Sequence, residues 1–418
     1  MKLLNVHRWI SIAVVLVSLY LSVTGTLIQL VDLKGLLLGS SPYDENLQAM
    51  RGDLNGPGDY AMIGPADYLA APLPADLDYP AMFGKALAAT RAAAGDTPLR
   101  YLELRQDQGR LLAIAQLAQP VAVAPGEREP AYATLVLDVV SGQPLPGVQA
   151  PRHNMESQQS LRIVVKSLHR MTTFGNNALW INVVVGTGLM VLIVTGVWIY
   201  VKQYRSRAAL GRKALFWKAQ DWWRTLHRSI SVACAVFLMV VTVSGLWLAV
   251  ESLSFGYYIS AQIAQAQASG RPPMMRRDAM QPLPDAQVAQ MARMTIEAYR
   301  RNHPDVAPRA LRLRVFANYA QGVVISGEGE ARQLVYNADS GAPMLQTEAG
   351  YPDTGFPFGW QAHQWAKQVH NGSMIGISGR AMNLLAGLAL FYLSLSGIVM
   401  YVKLWRRRAA NGRKALVW

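Results

Sequence analysis

A single cysteine, Cys234, is all the thiol in a chain of 418 residues. One thiol builds no disulfide, thiolate zinc site, iron–sulfur cluster or CxxCH haem attachment. Set within an apolar run, it reads as a small packing residue. Acids are scarce too, 26 Asp and Glu against 40 Lys and Arg. None stands inside any of four long apolar runs near 9–31, 178–201, 229–251 and 381–402; Asp32 and Glu251 stand only at ends. Apolar helices without interior charge count against an ion-coupled transporter. No GxGxxG follows a predicted strand, so the dinucleotide fingerprint is missing.

What the chain does have is apolar length. Each of the four runs exceeds the roughly 18 residues that mark a spanning helix. The first is too long for the h-region of a signal peptide, and TGTLIQLVDL offers no small-residue cleavage site, so it reads as a retained helix. The formal net charge of +14 suggests nucleic acid until it is located. Lys2 and Arg8 flank the first run. Lys202, Arg205, Arg207, Arg212, Lys213, Lys218, Arg224 and Arg228 lie between the second and third. Lys403, Arg406, Arg407, Arg408, Arg413 and Lys414 follow the fourth. The excess therefore falls on one side of a four-pass chain, which the positive-inside rule makes the cytoplasm. Trp217, Trp222, Trp223 and Trp418 fit an aromatic belt on that side. The expected partner is a lipid bilayer, not nucleic acid, and both termini are expected to be cytoplasmic.

The runs repeat. VHRWISIAVVLVSLYLSVTGTLIQL aligns without gaps on LHRSISVACAVFLMVVTVSGLWLAV, so that His7 meets His227, Arg8 meets Arg228 and Gly25 meets Gly245. A second alignment sets His169 on His370, Asn182 on Asn383, Gly196 on Gly397 and Trp217 on Trp418. LVLDVVSGQPL likewise matches LVYNADSGAPM. The expected fold is therefore a duplicated α-helical four-helix transmembrane bundle carrying two α+β outer domains. Residues 1–31 are the first helix and 32–177 the first outer domain. Residues 178–201 are the second helix, 202–228 a basic cytoplasmic loop and 229–251 the third helix. Residues 252–380 are the second outer domain, 381–402 the fourth helix and 403–418 a basic tail. Within the outer domains RYLELRQDQGRLLAIAQL, TLVLDVVSGQP and RQLVYNADSGAP read as strands. YPAMFGKALAATRAAAG and MQPLPDAQVAQMARMTIEAYRRN read as helices, and 120–130 and 265–283 as loops.

Of the seven histidines, four fall at equivalent places in the repeat. His7 and His227 begin the odd-numbered helices at the inner face. His169 and His370 precede the even-numbered helices at the outer face. Paired imidazoles from facing helices suit axial ligation of b-type haem, and two pairs at opposite faces would carry electrons across the bilayer. The plainer reading is a helix-end histidine copied by duplication. Zinc is a weaker rival, with no HxxxH or HxxE at these places. His363 shares a helical face with His370, two turns away, and is an alternative outer ligand or a substrate contact.

A small residue and a glycine recur in every run: Thr24-Gly25, Thr195-Gly196, Ser244-Gly245 and Ser396-Gly397. The glycines either leave a gap for a porphyrin opposite the histidines or let helices pack closely. Arg8 and Arg228 inside, and Arg170 and Arg380 outside, are candidates for the propionates; the inner two also read simply as positive-inside residues. From His169 to Tyr200 a straight helix would run about 46 Å, well over the roughly 30 Å hydrocarbon core. GNN after His169 and GISG after His370 are therefore expected to break it.

HR at the first helix, LH followed by Gly-rich residues before the second, a late [ST]G and a basic exit together resemble the PepSY-associated transmembrane family, over nearly the whole chain. Members with this duplicated layout look like inner-membrane siderophore–iron reductases of the ferrioxamine type. The resemblance implies two haem b groups on His7, His227, His169 and His370, PepSY-like domains in the periplasm, a ferric siderophore as substrate, and quinol or a separate cytoplasmic reductase as electron donor. It also admits a haem-free scaffold or regulator that binds periplasmic peptides or peptidases.

Overall fold

The computed structural model of the protein describes residues 2–55, 62–121, 131–150, 160–219, 221–269, 280–327, 331–344 and 356–412. The chain forms two compact units. One comprises Met1–Ser40, Gln158–Pro273 and Gly355–Trp418; the other comprises Ser41–Ser157 and Met274–Thr354.

The first unit is helical. Its long members are α1 (Lys2–Leu37), α5 (Leu179–Ala208), α7 (Ala235–Ser269) and α10 (Gly376–Ala410). Leu, Val and Ile surround each without leaving a polar face, as a helix in hydrocarbon requires. All four are long and apolar enough to cross a membrane, and only 17–33% of their most apolar stretch is buried inside the protein. Leu16, Trp198, Val236 and Leu385 stand in the open. Such a surface belongs in lipid, and the protein is a membrane protein. α1 packs chiefly on α10 and α5, and α5 on α7. Small residues permit the close approaches: Gly188 of α5 receives Val14 of α1, and Gly186 receives Leu246 of α7.

Three short helices position the remainder of the unit: α4 (Leu161–His169), α6 (Trp222–Ala233) and α9 (Gly359–Asn371). Ser160 caps α4 by accepting from the Ile163 N–H, and Asp221 caps α6 by accepting from the Trp223 N–H. α4 ends at His169, with Met171 and Gly175 at positive φ; α9 ends at Asn371, with Gly372 and Gly376 at positive φ. The break after His169 includes the expected GNN; the break after His370 falls earlier than expected, at Gly372–Ile375, and GISG itself opens α10. Gly372 is indispensable at its corner, because a Cβ there would lie 2.2 Å from the Gly379 carbonyl oxygen. Residues 161–177 and 356–380 thus fold with the spanning helices, not with the outer segments to which the sequence boundaries assigned them. The long helices also overrun the apolar runs. α7 continues to Ser269 through AQIAQAQAS, part of a stretch expected as loop; residues 122–130, 270–279 and 413–418 lie outside the described residues.

The second unit is α+β. Its helices are α2 (Glu45–Asn55), α3 (Tyr79–Ala94) and α8 (Val288–Asn302). Its strands are β1 (Leu99–Asp107), β2 (Arg110–Val121), β3 (Ala131–Asp138), β4 (Met280–Gln281), β5 (Ala310–Phe316), β6 (Tyr319–Ser326), β7 (Arg332–Asn337) and β8 (Pro343–Met344). The segment expected as one helix from 280 thus begins as a strand. The QDQGR hairpin closes with Gln108 and Gly109 both at positive φ, the type I′ geometry that suits the twist of the strands. All strands are antiparallel, in the order β3-β2-β1-β5-β6-β7-β8, with β4 on the end of β5. The two outer segments were expected as separate domains; β1 pairs with β5 from Tyr101↔Arg314 to Arg105↔Ala310, and they share one sheet.

Alternation along the strands divides two environments. Leu102, Leu104, Leu311 and Leu313 pack with Phe83 of α3 and Tyr299 of α8 in the apolar core. Glu103, Arg105, Arg312 and Arg314 turn the other way, yet are also buried. Arg312 pairs with Glu103, and Arg105 bridges Asp67 at 3.0 Å and Glu103 at 3.2 Å. Desolvation raises the Asp67 carboxyl above the usual range, against the pull of Arg105.

One glycine in this unit makes a direct test. A Cβ on Gly322 of β6 would lie 1.9 Å from Thr295 Oγ1 of α8. Gly322→Ala is expected to cost about 1–3 kcal/mol. Gly84→Ala, in α3 with nothing within 4 Å, is expected to be neutral or to stabilise by up to about 1 kcal/mol. Thermal melts of the intact protein in detergent read both.

Candidate functional site

The four repeat histidines all lie in the helical unit, and each is held by the same device. His7 Nδ1 is 2.8 Å from Thr195 Oγ1, and His227 Nδ1 is 2.7 Å from Ser396 Oγ. His169 Nδ1 is 2.9 Å from Thr24 Oγ1, and His370 Nδ1 is 3.4 Å from Ser244 Oγ and 3.0 Å from the Val241 carbonyl. These hydroxyls belong to the four small-Gly pairs. Each already donates its hydrogen down its own helix: Thr24 to Tyr20 O, Thr195 to Val191 O, Ser244 to Val240 O and Ser396 to Leu393 O. A carbonyl can only accept, so His370 donates from Nδ1–H to Val241 O; at the other three rings the hydroxyl, giving its hydrogen to its own helix, leaves its oxygen able to accept from Nδ1–H. That tautomer leaves the Nε2 lone pair for a metal, with its partner nitrogen fixed by a second layer of hydrogen bonds.

The glycines serve the same rings. A Cβ on Gly25 would lie 3.2 Å from His169 Cε1, one on Gly245 2.8 Å from His370 Cε1, and one on Gly196 3.5 Å from His7 Cε1. At Gly25 and Gly245 the space expected for a porphyrin is therefore taken by imidazole, and the missing side chain admits the histidine; at Gly196 the 3.5 Å approach is an ordinary van der Waals contact. Gly397 has nothing within 4 Å among the described residues.

Two of the rings come together. His169 and His370 have centroids 6.4 Å apart with planes tilted by 37°. A metal about 2 Å from each of two ring nitrogens, with each centroid about 1 Å behind its nitrogen, gives about 6 Å. The pair thus has the spacing of two imidazoles on one ion. His7 and His227 are held one by α5, through Thr195, and the other by α10, through Ser396. On α1, His7 and Thr24 are seventeen residues apart, about 26 Å, so the two pairs sit at levels separated by nearly the thickness of a hydrocarbon core. Among the described residues no group of three or more His, Cys, Asp or Glu is gathered to hold a metal ion. A pair of imidazoles is what an iron already held by four porphyrin nitrogens requires.

The arginines are differently disposed from the propionate expectation. Arg380 is buried and held by Asp32 Oδ2 at 2.7 Å, while Arg162, seven residues before His169, holds Asp32 Oδ1 at 2.6 Å. Arg228 donates to the Trp217 carbonyl and lies 4.0 Å over the Trp217 ring. Arg170 donates to Ser252 Oγ at 3.3 Å, and Arg8 stands near Arg224. Protein groups thus engage Arg380, Arg228 and Arg170. His363 does not join His169 and His370: its Nδ1 is 2.8 Å from Glu251 Oε2, and Phe356 stacks on its ring at 4.1 Å. The orienting role of Thr24, Thr195, Ser244 and Ser396 was missed in the sequence, although the repeated hydroxyl before each glycine was its signal.

The family model described as the PepSY-associated TM region matches residues 4–403, nearly the whole chain. Among curated proteins none matches it.

Proposed function

Because the chain belongs to the family of the PepSY-associated TM region, we propose that it is a haem b-containing reductase of the bacterial inner membrane that passes electrons outward to ferric siderophores. In this reading both termini are cytoplasmic, the sheet unit is periplasmic and the halves arose by duplication. The observation that carries it is the His169–His370 couple, with centroids 6.4 Å apart and each Nδ1 tied to a protein acceptor. Held between two such imidazoles, haem supplies a low-spin iron suited to one-electron exchange. The chain's own part is to fix the tautomers, through Thr195 and Ser396 inside and Thr24, Ser244 and Val241 outside, and to keep the couples on opposite sides of an apolar layer. Quinol or a cytoplasmic reductase would be the donor at His7 and His227. One electron delivered outside turns substrate Fe(III) into Fe(II), which hard oxygen ligands hold far less well, and the iron is released.

A visible spectrum tests the reading. Purified protein from haem-replete cells is expected to carry a Soret band and a dithionite-reduced α-band, and His227→Ala to remove about half of each. An unchanged spectrum in that variant rejects His227 as a ligand. Protein reduced and then mixed with a ferric siderophore is expected to reoxidise stoichiometrically. Colourless protein would favour the alternative, a haem-free scaffold or regulator binding periplasmic peptides or peptidases.

A further inference from the structure

The two halves of the helical unit differ at one matched place. Seven residues before His169 stands Arg162, paired with Asp32 near the end of α1. Seven residues before His370 stands His363, paired with Glu251 on α7. A guanidinium is charged at every accessible pH, whereas an imidazole titrates near neutrality. One half therefore carries a fixed ion pair where the other carries a proton-binding one. His363 is 8% exposed and Glu251 fully buried. Among the described residues Glu251 Oε1 is buried without a hydrogen-bond partner, and so are both amide atoms of the neighbouring Gln364. His363 and His370 lie on one face of α9, about 10.5 Å apart along its axis.

From this asymmetry, and resting on the reading above, we propose that the His363–Glu251 pair is the proton site of the outer couple: when an electron arrives between His169 and His370, His363 binds one proton from outside water. The balance is one electron and one proton in, with imidazolium formed against the Glu251 carboxylate. When the electron leaves for the substrate iron, the proton returns to water. At about 10 Å and an effective dielectric near 20, one added charge shifts a neighbouring equilibrium by about tenfold. The groups acting on His363 are Lys367 on its own helix, Glu251 on α7 and Arg170 after α4. Burial holds the His363 imidazole below its ordinary value; the Glu251 hydrogen bond opposes this, and Lys367 and Arg170 reinforce it. An added electron favours the protonated form and raises that value. The outer potential is then flat at low pH, falls as pH rises between the oxidised-state and reduced-state values, and is flat again above them.

Spectroelectrochemical titration of the intact protein from pH 5 to 8 tests this. One of the two components is expected to fall by up to tenfold in its reduction equilibrium per pH unit, or 59 mV, within that window. Proton uptake on reduction, followed with an indicator dye, is expected to match. His363→Arg copies the arrangement at Arg162 and should fold; it is expected to keep the spectrum, abolish the slope and release no dye signal. His363→Gln is expected to be equally flat. A wild-type potential independent of pH, or a slope retained in His363→Arg, overturns the proposal while the haem reading stands. Protein without a Soret band overturns both.

Discussion

Asp32→Ala is expected to destabilise the helical unit by about 3–5 kcal/mol, the range found when one partner of a buried ion pair is removed. Asp32 is 2% exposed, and two guanidinium groups converge on its carboxylate, Arg162 at 2.6 Å and Arg380 at 2.7 Å. Without it, two positive charges face each other where water is scarce, and each loses its charge-assisted hydrogen bond. The triad also joins α1 to α4 and α10, so its loss loosens the short helix that ends at His169. Asp32→Asn, which keeps the shape and one acceptor, is expected to fall between wild type and Ala. Melting temperature by tryptophan fluorescence, with recovery of monodisperse protein after detergent extraction, measures the series. Equal stability in all three proteins would mean that water or another group already compensates the arginines.

The four spanning helices were legible because hydrocarbon imposes one demand, about twenty apolar residues, that a linear sequence displays directly. Their ends were not. Hydropathy stops at the polar residues, while Ala and Gln in AQIAQAQAS still favour helix, so α7 runs on to Ser269. The β1–β2 hairpin and α3 were readable from local period and turn chemistry. The β1–β5 pairing was not: alternation tells which residues face a core, but not which distant strand lies alongside. Tyr101 and Arg314 meet although they stand 213 residues apart in the chain. The histidine pairs surfaced through the repeat. Their hydroxyl partners could have surfaced with them, because a Ser or Thr precedes each repeated glycine. Arg162 and Asp32 could not, since nothing local in either segment announces an ion pair 130 residues apart in sequence.

Gly245→Ala is expected to remove about half of the bound haem, the outer portion, while Gly397→Ala leaves both portions intact. The two substitutions are chemically identical, and each falls at the glycine of a small-Gly pair. At Gly245 the new methyl lies 2.8 Å from His370 Cε1 and 3.2 Å from Nδ1, closer than real contacts allow. His370 cannot retreat without giving up the Val241 carbonyl at 3.0 Å, the bond that sets its tautomer. At Gly397 the methyl meets nothing within 4 Å, and Ala exceeds Gly in helix propensity by about 1 kcal/mol. Gly397→Ala should therefore melt at or above the wild-type temperature. Gly25→Ala, at 3.2 Å from His169 Cε1, is expected to be intermediate, weakening the outer signal or shifting its potential. Haem per protein from the reduced α-band, beside melting temperature, separates a ligand effect from a folding effect. If Gly245→Ala and Gly397→Ala lose haem alike, the glycines matter for helix packing in general, and the clearance of the His370 ring is not what they provide.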